Sequence, residues 1–94
     1  MAKILVVDDE LDFLKMAAIR LKASGYEIDT AVNGEEALLK IRASKPQLVV
    51  LDVKLPLLNG FEVLRLIKSD PESAAIPVIL ASADASAQIE MKSK

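Results

Sequence analysis

Three aspartates and one serine in this chain have the types and spacing to do chemistry. Asp8 and Asp9 are adjacent at the end of an apolar run over residues 3–8. Asp52 follows a second apolar run, "QLVVL" at 47–51, and Ser82 follows a third, "IPVILA" at 76–81. If those runs are neighbouring parallel strands, their carboxyl ends open onto one shallow cleft, the usual ligand site of an open α/β sheet. Three close carboxylates repel one another unless a positive partner joins them. A hard divalent cation suits them, because Mg²⁺ takes oxygen ligands and keeps several waters. A carboxylate beside Mg²⁺ is also placed to accept a phosphoryl group, with the metal neutralising the phosphoryl oxygens as the carboxylate attacks in line.

Each residue has a plainer role to weigh beside this one. Adjacent acids after a strand cap the next helix and favour its positive dipole end. Asp52 alone reads as a turn residue, and Pro56 and Gly60 alone read as a turn and a helix start. Ser82 alone is a loop hydroxyl, and Asn59 a helix cap. The chemical reading gains its weight from the combination.

The elements that must position these residues are legible from periodicity. Residues 3–8, 47–51 and 76–81 are apolar on both faces, the pattern of strands buried within a parallel sheet. "YEIDTA" at 26–31 is mixed and suits a sheet edge. Between the strands, Leu11, Leu14, Ala18 and Leu21 repeat at helical spacing, with Gly25 as a stop signal. Asn33 and Glu36 have capping-box spacing before "GEEALLKIRAS", as do Asn59 and Glu62 before "GFEVLRLIKS". Asp70-Pro71 ends that third helix, and a fourth helix is expected from about Ser86 to Lys94. The β-α-β-α-β-α-β-α order predicts right-handed crossovers and a doubly wound α/β sheet with strand order 2-1-3-4. The 94 residues are read as a single domain, 1–94.

Composition narrows the function. The net charge is −2, with no cluster of Lys or Arg, which argues against direct nucleic-acid binding. There is no cysteine, which removes disulfides and thiol chemistry, and no histidine, so the chain cannot itself be a histidine phosphocarrier. No apolar run is long enough to span a membrane and no signal peptide is evident, so a cytoplasmic location is expected. A P-loop enzyme would need G-x-x-x-x-G-K-[ST], which is absent. An aspartate-based phosphatase generally has a second acid two residues after its nucleophile, and that position is Lys54. A flavin carrier would need a loop after strand one that accepts phosphate, and here that loop is acidic.

With these residues in view, the chain resembles the receiver domain of two-component response regulators. The matching stretches are "KILVVDDE" (3–10), "VVLDVKLPLLNG" (49–60) and "IPVILASA" (76–83), and the pattern D-x-x-[ML]-P-x-x-x-G is met by Asp52, Leu55, Pro56 and Gly60. The resemblance implies a flavodoxin-like fold and a phosphoacceptor role for Asp52. It implies that Asp9 binds Mg²⁺ directly, that Asp8 acts largely through water, and that the backbone carbonyl of Lys54 is a further ligand beside Asp52. Ser82 would hydrogen-bond the phosphoryl group. The partner would be a sensor histidine kinase or a phosphotransfer protein, and the domain would be no enzyme beyond its own phosphorylation.

The resemblance breaks off after the start of the fourth helix. The family's fifth strand, with its Lys-Pro dipeptide, and its fifth helix have no counterpart in these 94 residues. Phosphorylation without that lysine is expected to be slow or undetectable. The alternative is a receiver-like fragment that serves as a structural or interaction protein with phosphotransfer lost. The missing fifth strand would leave strand four as an open edge, with Val78 and Leu80 on one face and Ile79 on the other. A homodimer or larger assembly through that edge is the expectation.

Overall fold

The computed structural model describes residues 2–55 and 58–81 and the backbone of 90–92. Within these, strands and helices alternate as β1 (Lys3–Val7), α1 (Leu11–Ala23), β2 (Glu27–Ala31), α2 (Gly34–Ser44), β3 (Leu48–Asp52), α3 (Gly60–Ser69), β4 (Val78–Ala81) and β5 (Glu90–Lys92). The sheet order is β2-β1-β3-β4-β5. The first four strands are parallel and stand in the doubly wound order expected.

Side-chain alternation divides the apolar residues between two faces. Leu5, Val7, Val49, Leu51, Val78 and Leu80 join Ala37 and Ile41 of α2 and Val63 and Ile67 of α3 in the larger core. Ile4 and Val6 face the other way and pack with Leu14 of α1, flanked by Leu21, Ile28, Leu48 and Val50. A strand buried on both faces has no room for polar side chains, which is why β1 and β3 read as unbroken apolar runs. β2 has one outer edge, and its Glu27 is exposed.

Capping fixes where the helices start. Asn33 Oδ1 accepts from the Glu36 N–H at 2.8 Å, the first half of the predicted box, while Glu36 Oε1 reaches one residue past the cap and accepts from the Val32 N–H at 2.7 Å. Asn59 Oδ1 accepts from the Glu62 N–H at 3.0 Å. Past α3, Lys68 reaches the loop before β4 and donates to the carbonyls of Ala74 at 3.0 Å and Ile76 at 2.7 Å. Burial holds its ammonium below the usual lysine range.

Two expectations change. Glu90–Lys92 is a strand, not part of a fourth helix; it pairs antiparallel with β4, matching Val78 with Lys92, Ile79 with Met91 and Leu80 with Glu90. The start expected for that helix, about Ser86, lies outside the described residues. A helix must order a full turn before its first hydrogen bond closes, whereas the edge of β4 offers backbone partners at once. The edge of strand four is therefore not open over Val78–Leu80, which removes the feature on which assembly through it rested. On α1, Leu11 is 61% exposed, Met16 56% and Ile19 69%. Apolar residues occur almost all round α1, so spacing alone does not select the buried stripe, and only Leu14 is fully buried there.

The burial pattern predicts that Leu51→Ala, in the larger core, costs about 2–5 kcal/mol. Leu39→Ala, at a position exposed on α2, should stay within about 0.5 kcal/mol of the parent. Urea unfolding of the two variants checks this, and equal losses would contradict the assignment of the core.

Candidate functional site

The three aspartates meet because β1 and β3 run in register. Val7 pairs with Leu51, so the next residue on each strand, Asp8 and Asp52, stand side by side at the carboxyl edge. The alternation that sends Ile4, Val6, Leu48 and Val50 toward α1 sends both aspartates the same way. The backbone ladder continues on either flank: the Asp8 N–H donates to the Ala31 carbonyl at 3.0 Å, and the Val53 N–H donates to the Ala81 carbonyl at 3.0 Å. Neither acid can move without breaking a bond to the neighbouring strand.

One carboxylate oxygen from each of Asp8, Asp9 and Asp52 lies within 4.8 Å of the others. Asp8 and Asp52 are 6% and 7% exposed, whereas Asp9 is open to solvent. Asp8 Oδ1 accepts from the Glu10 N–H at 2.9 Å, an Asx turn ahead of α1; the N-cap of that helix is Glu10 and it has no side-chain cap bond, so the capping role weighed for the acidic pair is not what the structure shows. Asp52 Oδ1 accepts from the Lys54 N–H at 3.3 Å. Lys54 itself is exposed and follows β3 directly. Ser82 and Pro56 lie outside the described residues.

The electrostatics are those of crowded anions. Burial raises the Asp8 carboxyl above its ordinary value, and the charges of Asp52, Asp9 and Glu10 add to the effect against the hydrogen bond from Glu10. Burial likewise raises Asp52, with Asp9 adding to it, against the N–H of Lys54. The donor set is all hard oxygen, close enough for one small cation to touch more than one carboxylate, and Mg²⁺ fits it.

Gly60 sets the loop that follows Asp52. Its N–H donates to the Val53 carbonyl at 2.8 Å. A Cβ there would overlap the Asp52 carbonyl oxygen and stand 2.8 Å from Val53 Cα. The first turn of α3 thus rests directly on the backbone of the acid-bearing strand end, an approach only glycine allows. Gly34, at the start of α2, meets a similar limit: a Cβ would come 2.6 Å from Val63 Cγ2 and 2.9 Å from Leu58 Cβ. Sequence reasoning treated Gly34 only as part of a helix. The signal was a glycine at a helical position that Asn33 had already capped, where a better helix former would ordinarily stand.

Comparison with known proteins follows from this geometry. The family model of the response regulator receiver domain matches residues 4–93. The chain is 43% identical over 81 residues to the alkaline phosphatase synthesis transcriptional regulatory protein PhoP of Bacillus subtilis, an alignment covering 86% of this chain and 33% of that protein. It superposes with a TM-score of 0.83 on the N-terminal domain of a response regulator receiver protein from Methanoculleus marisnigri, at 39% identity, covering 85% of this chain and 65% of that one. It also superposes at 0.83 on the response regulator TrrA of Thermotoga maritima in complex with Mg(2+)-BeF, at 41% identity, covering 92% of this chain and 73% of that one. The chain spans about a third of the length of curated relatives such as PhoP.

Two predictions come from this site. The raised carboxyls of Asp8 and Asp52 hold more protons folded than unfolded. Metal-free stability therefore falls as pH rises from the ordinary aspartate value through the raised folded values, and is regained on acidification. Urea midpoints across that range should show the trend, and Asp52→Asn should flatten it; a parent whose stability climbs with pH over the same window contradicts it. Separately, Gly60→Ala should cost about 1–3 kcal/mol by overpacking, with nothing flexible nearby to yield. Unchanged unfolding would mean that the loop is not seated on Asp52.

Proposed function

The chain belongs to the response regulator receiver domain family, and we propose that within it the chain is a phosphoacceptor module of a two-component signalling system, phosphorylated on Asp52. The observation that carries this reading over a purely structural or interaction role is the gathering of Asp8, Asp9 and Asp52 at the carboxyl edge of β1 and β3. Anions packed this closely weaken the metal-free fold, which a scaffold with no ligand to bind has no reason to keep.

In this reading Asp9 and Asp52 hold Mg²⁺ directly, Asp8 acts through water, and the Lys54 carbonyl completes the protein ligands. Bound Mg²⁺ supplies positive charge for the phosphoryl oxygens. A carboxylate oxygen of Asp52 attacks phosphorus in line. The bond from phosphorus to the donor's histidine nitrogen breaks, and that nitrogen keeps the electron pair. The hydrogen bond from the Lys54 N–H favours the ionised form of Asp52 and helps to aim it, against the burial that raises this carboxyl. Ser82 hydrogen-bonds the phosphoryl group once transferred.

The donor is a sensor histidine kinase or a phosphotransfer protein, and the chain turns over no substrate of its own. The absence of a Lys/Arg cluster and the net charge of −2 support a module that does not bind nucleic acid directly. Among the described residues no helix is long and apolar enough to cross a membrane, and the reading places the protein in the cytoplasm with its kinase partner. Self-association through β4 would first have to displace β5 from that edge.

Intact-protein mass spectrometry after prolonged incubation with Mg²⁺ and acetyl phosphate is the test. The parent should slowly gain the mass of one phosphoryl group, and Asp52→Asn should gain none. Uptake by the Asp52→Asn variant, or none by the parent with Mg²⁺ present, would sink the proposal.

A further inference from the structure

The turn between β2 and α2 touches both segments that carry the acids. At one end, the Ala31 carbonyl accepts the Asp8 N–H at 3.0 Å. Three residues later, buried Gly34 lies against the loop that leads away from Asp52, with Leu58 Cβ 2.9 Å and the Leu58 carbonyl oxygen 3.4 Å from where its own Cβ would stand. The same absent Cβ would be 2.6 Å from Val63 Cγ2 on α3. Between these contacts the turn is held by two bonds, Glu36 N–H to Asn33 and Val32 N–H to Glu36. It is therefore a short braced strut, one foot on the β1 end and the other on the β3–α3 loop.

Glycine at this position is not required by the backbone. The two non-ordinary φ values among the described residues belong to Lys45 and Gly25, so alanine could take up the helical conformation of Gly34 without strain, and helix propensity favours it. What alanine could not do is share the space with Leu58 and Val63. Val63 is fully buried and part of the larger core, and Leu58 follows the acid-bearing strand end by six residues. We infer that Gly34 is a positioning residue for the acidic site: by letting α2 close onto Leu58, two residues before Gly60, it seats the start of α3, whose Gly60 N–H is held by the Val53 carbonyl between Asp52 and Lys54. This rests on the reading of Asp8, Asp9 and Asp52 as a Mg²⁺ and phosphoryl site.

The two contacts of Gly34 separate a packing role from a positioning role. Gly34→Ala clashes with both Val63 and Leu58. In a Val63→Ala background the clash with the α3 side chain is relieved, whereas that with Leu58 Cβ remains. The experiment compares the parent, Gly34→Ala, Val63→Ala and the double variant. It measures urea stability, the affinity for Mg²⁺ with and without beryllofluoride by NMR titration, and hydrogen exchange at the Lys54 amide. The expected result is that Gly34→Ala weakens Mg²⁺–beryllofluoride binding by about tenfold, as lost outer-shell support does at metal sites, and speeds Lys54 exchange. In the Val63→Ala background it should cost less stability than in the parent but weaken binding by the same factor. If binding recovers together with stability in the double variant, or if Gly34→Ala binds as the parent does, the positioning role is overturned while the site itself stands. A parent that binds neither Mg²⁺ nor its beryllofluoride complex overturns the site and this inference together, so the two failures are told apart by the parent alone.

Discussion

The constraint on which this structure turns is the proximity of three carboxylates at the end of two adjacent strands. Left to electrostatics, Asp8, Asp9 and Asp52 would separate. They are kept together by register: Val7 against Leu51 in a sheet buried on both faces cannot slip by one residue without sending each core side chain of the strand into the opposite packing layer, where its neighbours do not match it. The apolar core thus acts as the clamp, and its cohesion is what tolerates the repulsion. The backbone bonds from Asp8 to Ala31 and from Val53 to Ala81 extend that clamp one residue past the strands, alongside the packing of Val53 against the larger core.

Around this edge the chain uses glycine as a spacing device in two places. Gly60 brings the start of α3 onto the Asp52 carbonyl, and Gly34 brings the start of α2 onto Leu58 and Val63. Both stand at the first position of their helices, directly after an asparagine cap. The repeated arrangement seats two helix starts beside the acid-bearing edge, one against the Asp52 and Val53 backbone and the other against Leu58.

How much of this could be read from residues alone follows from which forces are local. The apolar runs and the capping pairs Asn33–Glu36 and Asn59–Glu62 act within a few residues, and the strands and helix starts they imply are found to within a residue or two. Asp8, Asp9 and Asp52 were legible as a cluster because strand ends in a doubly wound sheet fall in one place. The buried stripe of α1 was not, since the helix is apolar on most sides and only tertiary packing selects Leu14 over Leu11. Nor was the role of Gly34, which depends on an interhelical distance that no sequence spacing encodes. Glu90–Lys92 went astray for a related reason: its conformation is decided by the backbone groups of β4, distant in sequence, rather than by its own propensity.

That last pairing has a consequence in the language of effective concentration. A strand tethered to the same chain competes for the β4 edge as though it were present at roughly millimolar levels, as for two modules joined by a short flexible linker. A foreign strand at micromolar concentration, from another copy or another protein, is outcompeted by simple mass action, even if its intrinsic pairing is as good. Glu90–Lys92 therefore works as an internal competitor, lowering the apparent affinity of the β4 edge over Val78–Leu80 for an outside strand.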